Sequence, residues 1–430
     1  LRAKHFFTSE NITLFKQQLL IWSQQFDDVV WLDSNNHKQA HSHYDAVLAV
    51  DAFTSIKTDY FDAFNQLKEY QATTKDWLFG YLTYDLKNNI EPLKSENFDG
   101  LEFPDLYFFQ PKKIFFFKGK EVALCYLNMV DYEFESDLHT IKNVSQENNT
   151  SEANSVKIKL RIHKDAYIEK IQAMLHHIHR GDMYEANFCQ EFYAEATEIN
   201  PLETYSKLNA ISNAPFATFL KSGDKFLLSA SPERYLKKDG GLVISQPIKG
   251  TAKRSLDKDE DQALKAELRS NVKERSENIM IVDLVRNDLS KTAIKGSVKV
   301  DELCGIYTFD QVHQMISTVR SQVEPTVNPI DIIKTTFPMG SMTGAPKISA
   351  MKIIEALEET KRGLYSGTVG YFSPEGNFDF NVVIRSILYN QSKKYVSYSV
   401  GSAITAKSDP LKEYEECLVK AKAMRDVLEG

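Results

Sequence analysis

Glu277 stands in KERSENIMIVDLVRNDLS with Met280, Ile281 and Leu284 at i, i+3, i+4 and i+7, which puts a carboxylate on the apolar face of a helix. An ionised carboxylate buried there needs a partner, because an unpaired charge in low dielectric is prohibitively costly. A lysine, an arginine, a backbone donor or a metal would each serve. Glu413 and Glu416, in LKEYEECLVK, repeat the theme, since i, i+3 spacing projects both from one side of a helix. Read alone, the pair is a solvated acidic first turn favoured by the helix dipole. Together with Glu277 it makes an all-oxygen site suited to a hard cation such as Mg2+.

Arg385 falls inside the apolar strand run FNVVIRSIL and demands a carboxylate, either an internal Asp or Glu or that of a ligand gripped in bidentate fashion. Lys249, in ISQPIKGTAKR, is expected at a strand end in a tight connection. Exposed, it solvates the surface; enclosed near a cation, its free amine becomes a nucleophile. FPMGSMTGAPKISAMKIIEALE runs from a glycine-bearing loop into a helix with Pro346 near its first turn, an arrangement whose free N–H groups favour an anion. The P-loop spacing is absent, which argues against a nucleotide. His176, His177 and His179 invite zinc, yet no carboxylate or cysteine completes a ligand pattern, so a solvated or satisfied histidine face is expected.

The elements that must position these residues are legible in part. Ile168, Ile171, Leu175 and Ile178 predict a helix over Lys164 to Arg180, stopped by Gly181. The charged run from Lys258 to Lys291 has no Gly or Pro and predicts one long helix or two abutting ones. YSGTVGYFSPEGNFDFNVVIRSILYNQSKKYVSYSVGSAIT alternates β-rich runs with turns at PEGN and QSKK, as consecutive antiparallel hairpins do. Asp409-Pro410 opens a terminal helix as N-cap and first helical residue. From Asp27 to Val122, short aromatic and β-branched runs read as mixed sheet, and the polar stretch around residues 146–155 reads as a linker between residues 1–145 and 156–430.

A net charge of -7 over 430 residues gives no general electrostatic reason to bind nucleic acid or an anionic membrane. No apolar run is long enough to span a bilayer, and the start lacks an apolar segment with a cleavage site. The four cysteines are far apart without a C-x-x-C pair, so reduced thiols in a cytoplasm are expected.

Taken in order, GDMYEANFC, LSASPERYL, PIKGT, RSENIMIVDLVRNDL, GSMTGAPK, RGLYSGTVGYF, VVIRS and DPLKEYEEC resemble the chorismate-utilising enzymes, from about Ile162 to Leu428, and FGYLTYDL resembles the earlier half of their amidating members. The resemblance implies an α+β fold of two large antiparallel sheets packed as a sandwich with helices outside. It implies Glu277, Glu413 and Glu416 as Mg2+ ligands, Gly250 and Thr251 as chorismate contacts, Tyr365 and Arg385 as holders of the pyruvyl carboxylate, and Gly401, Ser402 and Ala403 as a backbone contact. Lys249 in PIKGT is similar to aminodeoxychorismate synthases, where anthranilate synthases have alanine. The implied activity is therefore amination of chorismate to 4-amino-4-deoxychorismate, towards 4-aminobenzoate and folate, through attack of Lys249 at C2. Rival readings are an anthranilate synthase component and a catalytically weak subunit that docks an amidotransferase or binds a metabolite.

Glu185 stands where amidating members usually have glutamine and isochorismate synthases a general-base lysine. Gln314 replaces a usual histidine, and neighbouring His313 cannot substitute on a regular strand, where adjacent side chains point to opposite faces. Gly401-Ser402-Ala403 replaces a glycine-rich segment, with an added methyl against the substrate. No cysteine sits in the G-x-C-x-G frame of a class I glutaminase, so a separate glutamine amidotransferase subunit is expected to supply ammonia. Ser34 and Pro215-Phe216-Ala217 loosely resemble a tryptophan pocket of related amidating enzymes.

Overall fold

Strand Asp28–Asp33 sends Val29 and Trp31 to one face and Val30 and Leu32 to the other, and all four meet apolar neighbours. Strand Ala46–Thr58 beside it divides Leu48 and Val50 from Val47 and Ala49 in the same way. With a side-chain period of two, this reads as a sheet covered on both faces rather than one open to water. The computed structural model describes residues 1–37, 41–144, 156–310 and 312–430, so the expected linker at 146–155 lies outside the described residues.

Among the described residues, twenty strands form one hydrogen-bonded network in which every pairing between strands is antiparallel. The network folds into two facing sheets because two long strands bend. Ala46–Thr58 pairs with Leu106–Lys118 along its whole length, but the register shifts between Ala52 and Thr54, opposite Pro111 and Gln110. A bulge of this kind kinks a strand and lets it pass from one sheet to the other. Beyond the bend, one sheet runs through Leu78–Leu82, Thr368–Phe372, Phe378–Asn381 and Arg234–Asp239 to Leu242–Gln246 and its continuation Ile248–Lys253, which line one side of Val312–Gln322, with Lys299–Thr308 on the other side. The other runs through Asp28–Asp33, Phe216–Ser222, Lys225–Ser231, Ser386–Asn390 and Tyr395–Thr405 to Glu185–Ala194. The sandwich expected from resemblance is therefore present. Residues on either side of the expected linker share both sheets.

Between the sheets, Val30, Leu220, Leu227 and Leu388 meet Phe79, Tyr81, Leu236 and Val369. The outer face of the second sheet packs under four helices, through Phe15, Leu19 and Trp22, Ile141, Tyr205 and Leu208, and Cys417, Ala421 and Met424. The helix Lys164–Arg180 and its Gly181 cap stand where the sequence put them. The charged run forms two helices, Lys258–Ser270 and Val272–Ser290, with Asn271 between them capping the second through Glu274 N–H. All four cysteines are buried and free. Among the described residues no helix is long and apolar enough to cross a membrane.

FGYLTYDL ties the first part of the chain to the rest. Asp85 accepts from Gly363 N–H at 2.9 Å, buried Lys87 pairs with Asp85 and Glu355, and Tyr84 lies under the Arg362 guanidinium. Arg362 in turn grips Glu358 through two hydrogen bonds of 2.9 and 2.7 Å and donates to the carbonyls of Met342 and Asn187. Arg362→Met leaves Glu358 buried without its cation and is expected to cost about 3–5 kcal/mol. Urea unfolding tests this; a loss below about 1 kcal/mol, the value of an ordinary surface pair, would show that the clamp is not structural.

Candidate active site

Two chain segments cross from one sheet to the other side by side, and the chemistry gathers around them. Lys225–Ser231 ends in the second sheet and Arg234–Asp239 begins in the first, so Pro232 and Glu233 make one crossing. Phe378–Asn381 and Ser386–Asn390 are divided the same way, so 382–385 make the other. Hydrogen bonds from Val382 N–H to Glu233 O and from Ala230 N–H to Arg385 O lace the two together. Arg385 thus sits at a break between strands, with φ of 52°, not inside the strand that its apolar neighbours predict. The apolar run is continuous because the crossing is buried, which hides the break from the sequence. A left-handed arginine is held there by its surroundings.

The Arg385 guanidinium makes no hydrogen bond or ion pair with any described side chain. Burial pulls its pKa down, and the fields of Tyr365 and Glu416 push it back up. An enclosed arginine without an internal carboxylate is a receptor for an external one.

Lys249 and Gly250 occupy a register shift between Ile248 and Thr251, where a bulge re-aims the side chain. Gly250 has φ of 98°, and a Cβ there would lie 3.3 Å from Met315 Cβ, so the turn needs glycine. Asn278 holds the bulge from the neighbouring helix by donating to Lys249 O at 3.3 Å. Lys249 Nζ reaches across to Glu185 Oε1 at 3.1 Å, from a strand of one sheet to a strand of the other. Its side chain is 12% exposed and that of Glu185 1%. Burial lowers the Lys249 pKa, but Glu185, Glu277 and Glu233 outweigh it and hold the ammonium form.

Burial pushes Glu277 up to about 7, against the attraction of Lys249, and its Oε1 has no hydrogen-bond partner. Lys273 stands 3.9 Å from Glu277 and 3.8 Å from Glu413, so two of the three expected ligands share one ammonium. Ser402 donates to Glu413 Oε2, while Glu416 is half exposed and pairs with Lys420. No group of three or more acidic, histidine or cysteine side chains forms a ready metal cage among the described residues. The donor set still fits Mg2+, a hard cation that keeps several waters and uses one or two carboxylates. His177 pairs with Asp182 at a helix end, apart from this cleft.

Glu233, in SPERYL, is a site residue that sequence reasoning quoted without assigning. Burial pushes it up to about 7, offset by the Ser341 hydroxyl, which donates at 2.8 Å, and by Lys249. Its signal was a lone acidic residue after Pro232 between two apolar strands. Lys273, four residues before Glu277, was equally readable as its helical neighbour. GSMTGAPK acts as a brace: Ser341 holds Glu233, Lys347 is bound to Asp288 and the carbonyls of Thr336 and Pro338, and Gly344 lies where a Cβ would strike Glu185 O at 2.1 Å.

Tyr365 is buried beside Arg385, and Thr251 pairs with Gln314 across the ladder, on the same face. Gly401 is glycine because Asn187 Nδ2 would sit 2.6 Å from its Cβ, and Ala403 pairs with Asn187 itself. His313 points away, bonded to Asp261 at 2.9 Å and Thr308 at 3.0 Å, whereas Gln314 Oε1 is buried without a partner. Ser34 and Pro215-Phe216-Ala217 line one cavity of about 70 Å3 between the sheets.

The chain is 36% identical to an anthranilate synthase component I-like protein of Synechocystis, over 82% of this chain and 73% of that protein. It is 33% identical to aminodeoxychorismate synthase component 1 of Bacillus subtilis, over 81% of this chain and 76% of that one. Against the aminodeoxychorismate synthase of Streptomyces griseus it is 43% identical over 63% of its length, and spans 37% of that longer protein. Anthranilate synthase component I of Streptococcus pneumoniae superposes with a TM-score of 0.78 at 25% identity, covering 90% of this chain and 93% of that one. The menaquinone-specific isochorismate synthase of Escherichia coli has the same fold, with a TM-score of 0.76 at 15% identity over 100% of this chain and 95% of that one. The sequence signature of the chorismate binding enzymes matches residues 24–426, and the chain belongs to that family.

Proposed function

We propose that the protein aminates chorismate at C4 to give 4-amino-4-deoxychorismate, using Mg2+ and ammonia supplied by a separate glutamine amidotransferase subunit, towards 4-aminobenzoate and folate. The observation that carries this reading is Lys249: a single lysine amine, buried in the cleft of a chorismate binding enzyme, among Glu185, Glu277 and Glu233. Several relatives are named aminodeoxychorismate synthase, and three of these are component 1, a name that implies a partner. On this reading the reaction belongs to the cytoplasm.

In this scheme Arg385 and Tyr365 receive the pyruvyl carboxylate, Gly250, Thr251 and Gly401 to Ala403 line the ring, and Lys249 adds at C2. Glu233, poised to hold a proton near neutrality, protonates the departing C4 hydroxyl. Mg2+ held by Glu277 and Glu416, with Glu413 direct or through water, would neutralise the ring carboxylate and stabilise charge developing in the ring. Ammonia then attacks C4 and expels the lysine.

Incubation of the purified chain with chorismate and Mg2+, with products identified by mass spectrometry, tests the reading. Ammonium salts should support aminodeoxychorismate formation and glutamine alone should not. Lys249→Ala is expected to lower the rate roughly 10³-fold or more; aminodeoxychorismate made by it at the wild-type rate, or anthranilate as the wild-type product, would refute the assignment. Arg385→Lys should raise KM about 10- to 100-fold, because a point ammonium cannot reproduce the planar fork, and an unchanged KM would remove Arg385 from the substrate site. Mg2+ should raise the thermal midpoint of the wild type but not of Glu277→Gln, and full turnover in excess chelator would exclude the metal.

A further inference from the structure

We infer that Glu185 is the base that serves Lys249: it takes one proton from the Lys249 ammonium as the amine adds to the ring, and returns it when the amine leaves. The inference rests on the nucleophilic role of Lys249 proposed above. An ammonium has no lone pair, so a proton must move before the carbon–nitrogen bond can form.

Several carboxylates face Lys249, but only one touches it. Glu277 acts on it from the helix Val272–Ser290 and Glu233 from the crossing, while Glu274 and Glu416 feel its field and Lys273 competes for Glu277 and Glu413. Among the described residues, Glu185 alone lies within ion-pair distance of Nζ, at 3.1 Å. Its Oε2 is buried without any hydrogen-bond partner, so no second donor holds the carboxylate ionised once Lys249 gives up its charge. The strand that carries it is fixed on both sides, Glu185 pairing with Ala345 and with Thr405. Charge conservation favours this acceptor. Transfer from Lys249 to Glu185 turns a buried ion pair into a buried neutral pair, whereas loss of the proton to water would strand Glu185 as a lone buried anion.

The steps balance. The proton passes from Nζ to Glu185, the freed lone pair forms the bond to C2, and the two conjugated ring double bonds shift towards C4. The C4–O bond breaks with its electron pair going to oxygen, which takes a proton from Glu233 and leaves as water. Ammonia then bonds to C4, the double bonds shift back, and Nζ departs with its electron pair and recovers its proton from Glu185. The new ammonium group gives one proton to Glu233, which restores the site.

Kinetics of the wild type, Glu185→Gln, Glu185→Asp and Lys249→Ala with chorismate, Mg2+ and a fixed concentration of free ammonia test this across neutral to alkaline pH. Above neutrality both enzymes lose the Glu233 proton alike, so the quantity compared is the ratio of their kcat values, and internal transfer adds no further pH dependence to the wild type. Glu185→Gln keeps the hydrogen bond but not the base, so its kcat should fall about 10²- to 10⁴-fold near neutral pH with KM little changed. Relative to the wild type it should then climb about tenfold per pH unit as solvent takes over deprotonation, and Glu185→Asp should recover part of the loss. In the free protein, Lys249 of Glu185→Gln should react faster than in the wild type with an uncharged acylating reagent, because the carboxylate no longer holds its proton. A Glu185→Gln enzyme at the wild-type rate, or one slowed equally at every pH with no recovery in Glu185→Asp, overturns the inference. If Lys249→Ala is inactive while Glu185→Gln is unaffected, only the base is wrong; if Lys249→Ala is fully active, the nucleophile reading itself fails.

Discussion

A carboxylate cannot be buried as an anion without something positive to face, and the cleft of this protein buries Glu185, Glu233, Glu277 and Glu413 within the reach of very few cations. Lys249 answers Glu185 directly and Glu277 and Glu233 through space, and Lys273 is shared between Glu277 and Glu413. The result is a region with a deficit of positive charge, in which Glu233 and Glu277 are both pushed up to about 7. Such a deficit costs stability, and it persists here in a chain that otherwise pairs its buried charges well, as in Arg362 with Glu358 and Lys347 with Asp288. Unbalanced charge in one cleft and balanced charge elsewhere is the pattern expected of a binding site.

The fold explains how so many charges meet in one place. A two-sheet sandwich excludes water from its middle, and the backbone can change sheets only at bends and crossings. The crossings at 232–233 and 382–385 lie side by side and carry Glu233 and Arg385, while Lys249 and Glu185 approach from opposite sheets. Glu233, Arg385 and Lys249 therefore stand where the regular ladder is interrupted and a side chain can point into the gap between the sheets. The helix Val272–Ser290 closes the gap by supplying Glu277 and by pinning the Lys249 bulge through Asn278.

Local signals were legible in the sequence, and long-range ones were not. Gly181, Asp409-Pro410 and the PEGN and QSKK turns act within a few residues, and each stands where its chemistry placed it. The Glu277 carboxylate on an apolar helical face was readable for the same reason. The break at Arg385 was not, because a buried crossing and a buried strand have the same apolar composition. Nor could spacing show that Lys249 and Glu185, 64 positions apart in sequence, meet at 3.1 Å. His313 and Gln314 illustrate the middle case: strand alternation rightly forbade their exchange, and only the structure shows that Asp261 holds the histidine on the far face.

Arg385 and the acidic cleft make opposite demands on a ligand, and together they narrow what can bind. The guanidinium, half-buried without a carboxylate of the protein's own, attracts an anion, whereas Glu277, Glu413 and Glu416 repel one. A monocarboxylate could satisfy the arginine and avoid the acidic side altogether. A dicarboxylate such as chorismate must place its second group against the acidic side, which is favourable only if a cation comes between them. Lys273 is half exposed and near 4 Å from its two carboxylates, so it is too loosely held to fill that role in a bidentate fashion. A divalent cation supplies two charges in a smaller volume and bonds to oxygen on both sides. If the proposed function holds, the metal and the substrate would bind cooperatively, each supplying the counter-charge that the other lacks, with Arg385 taking one end of the dianion and the cation the other.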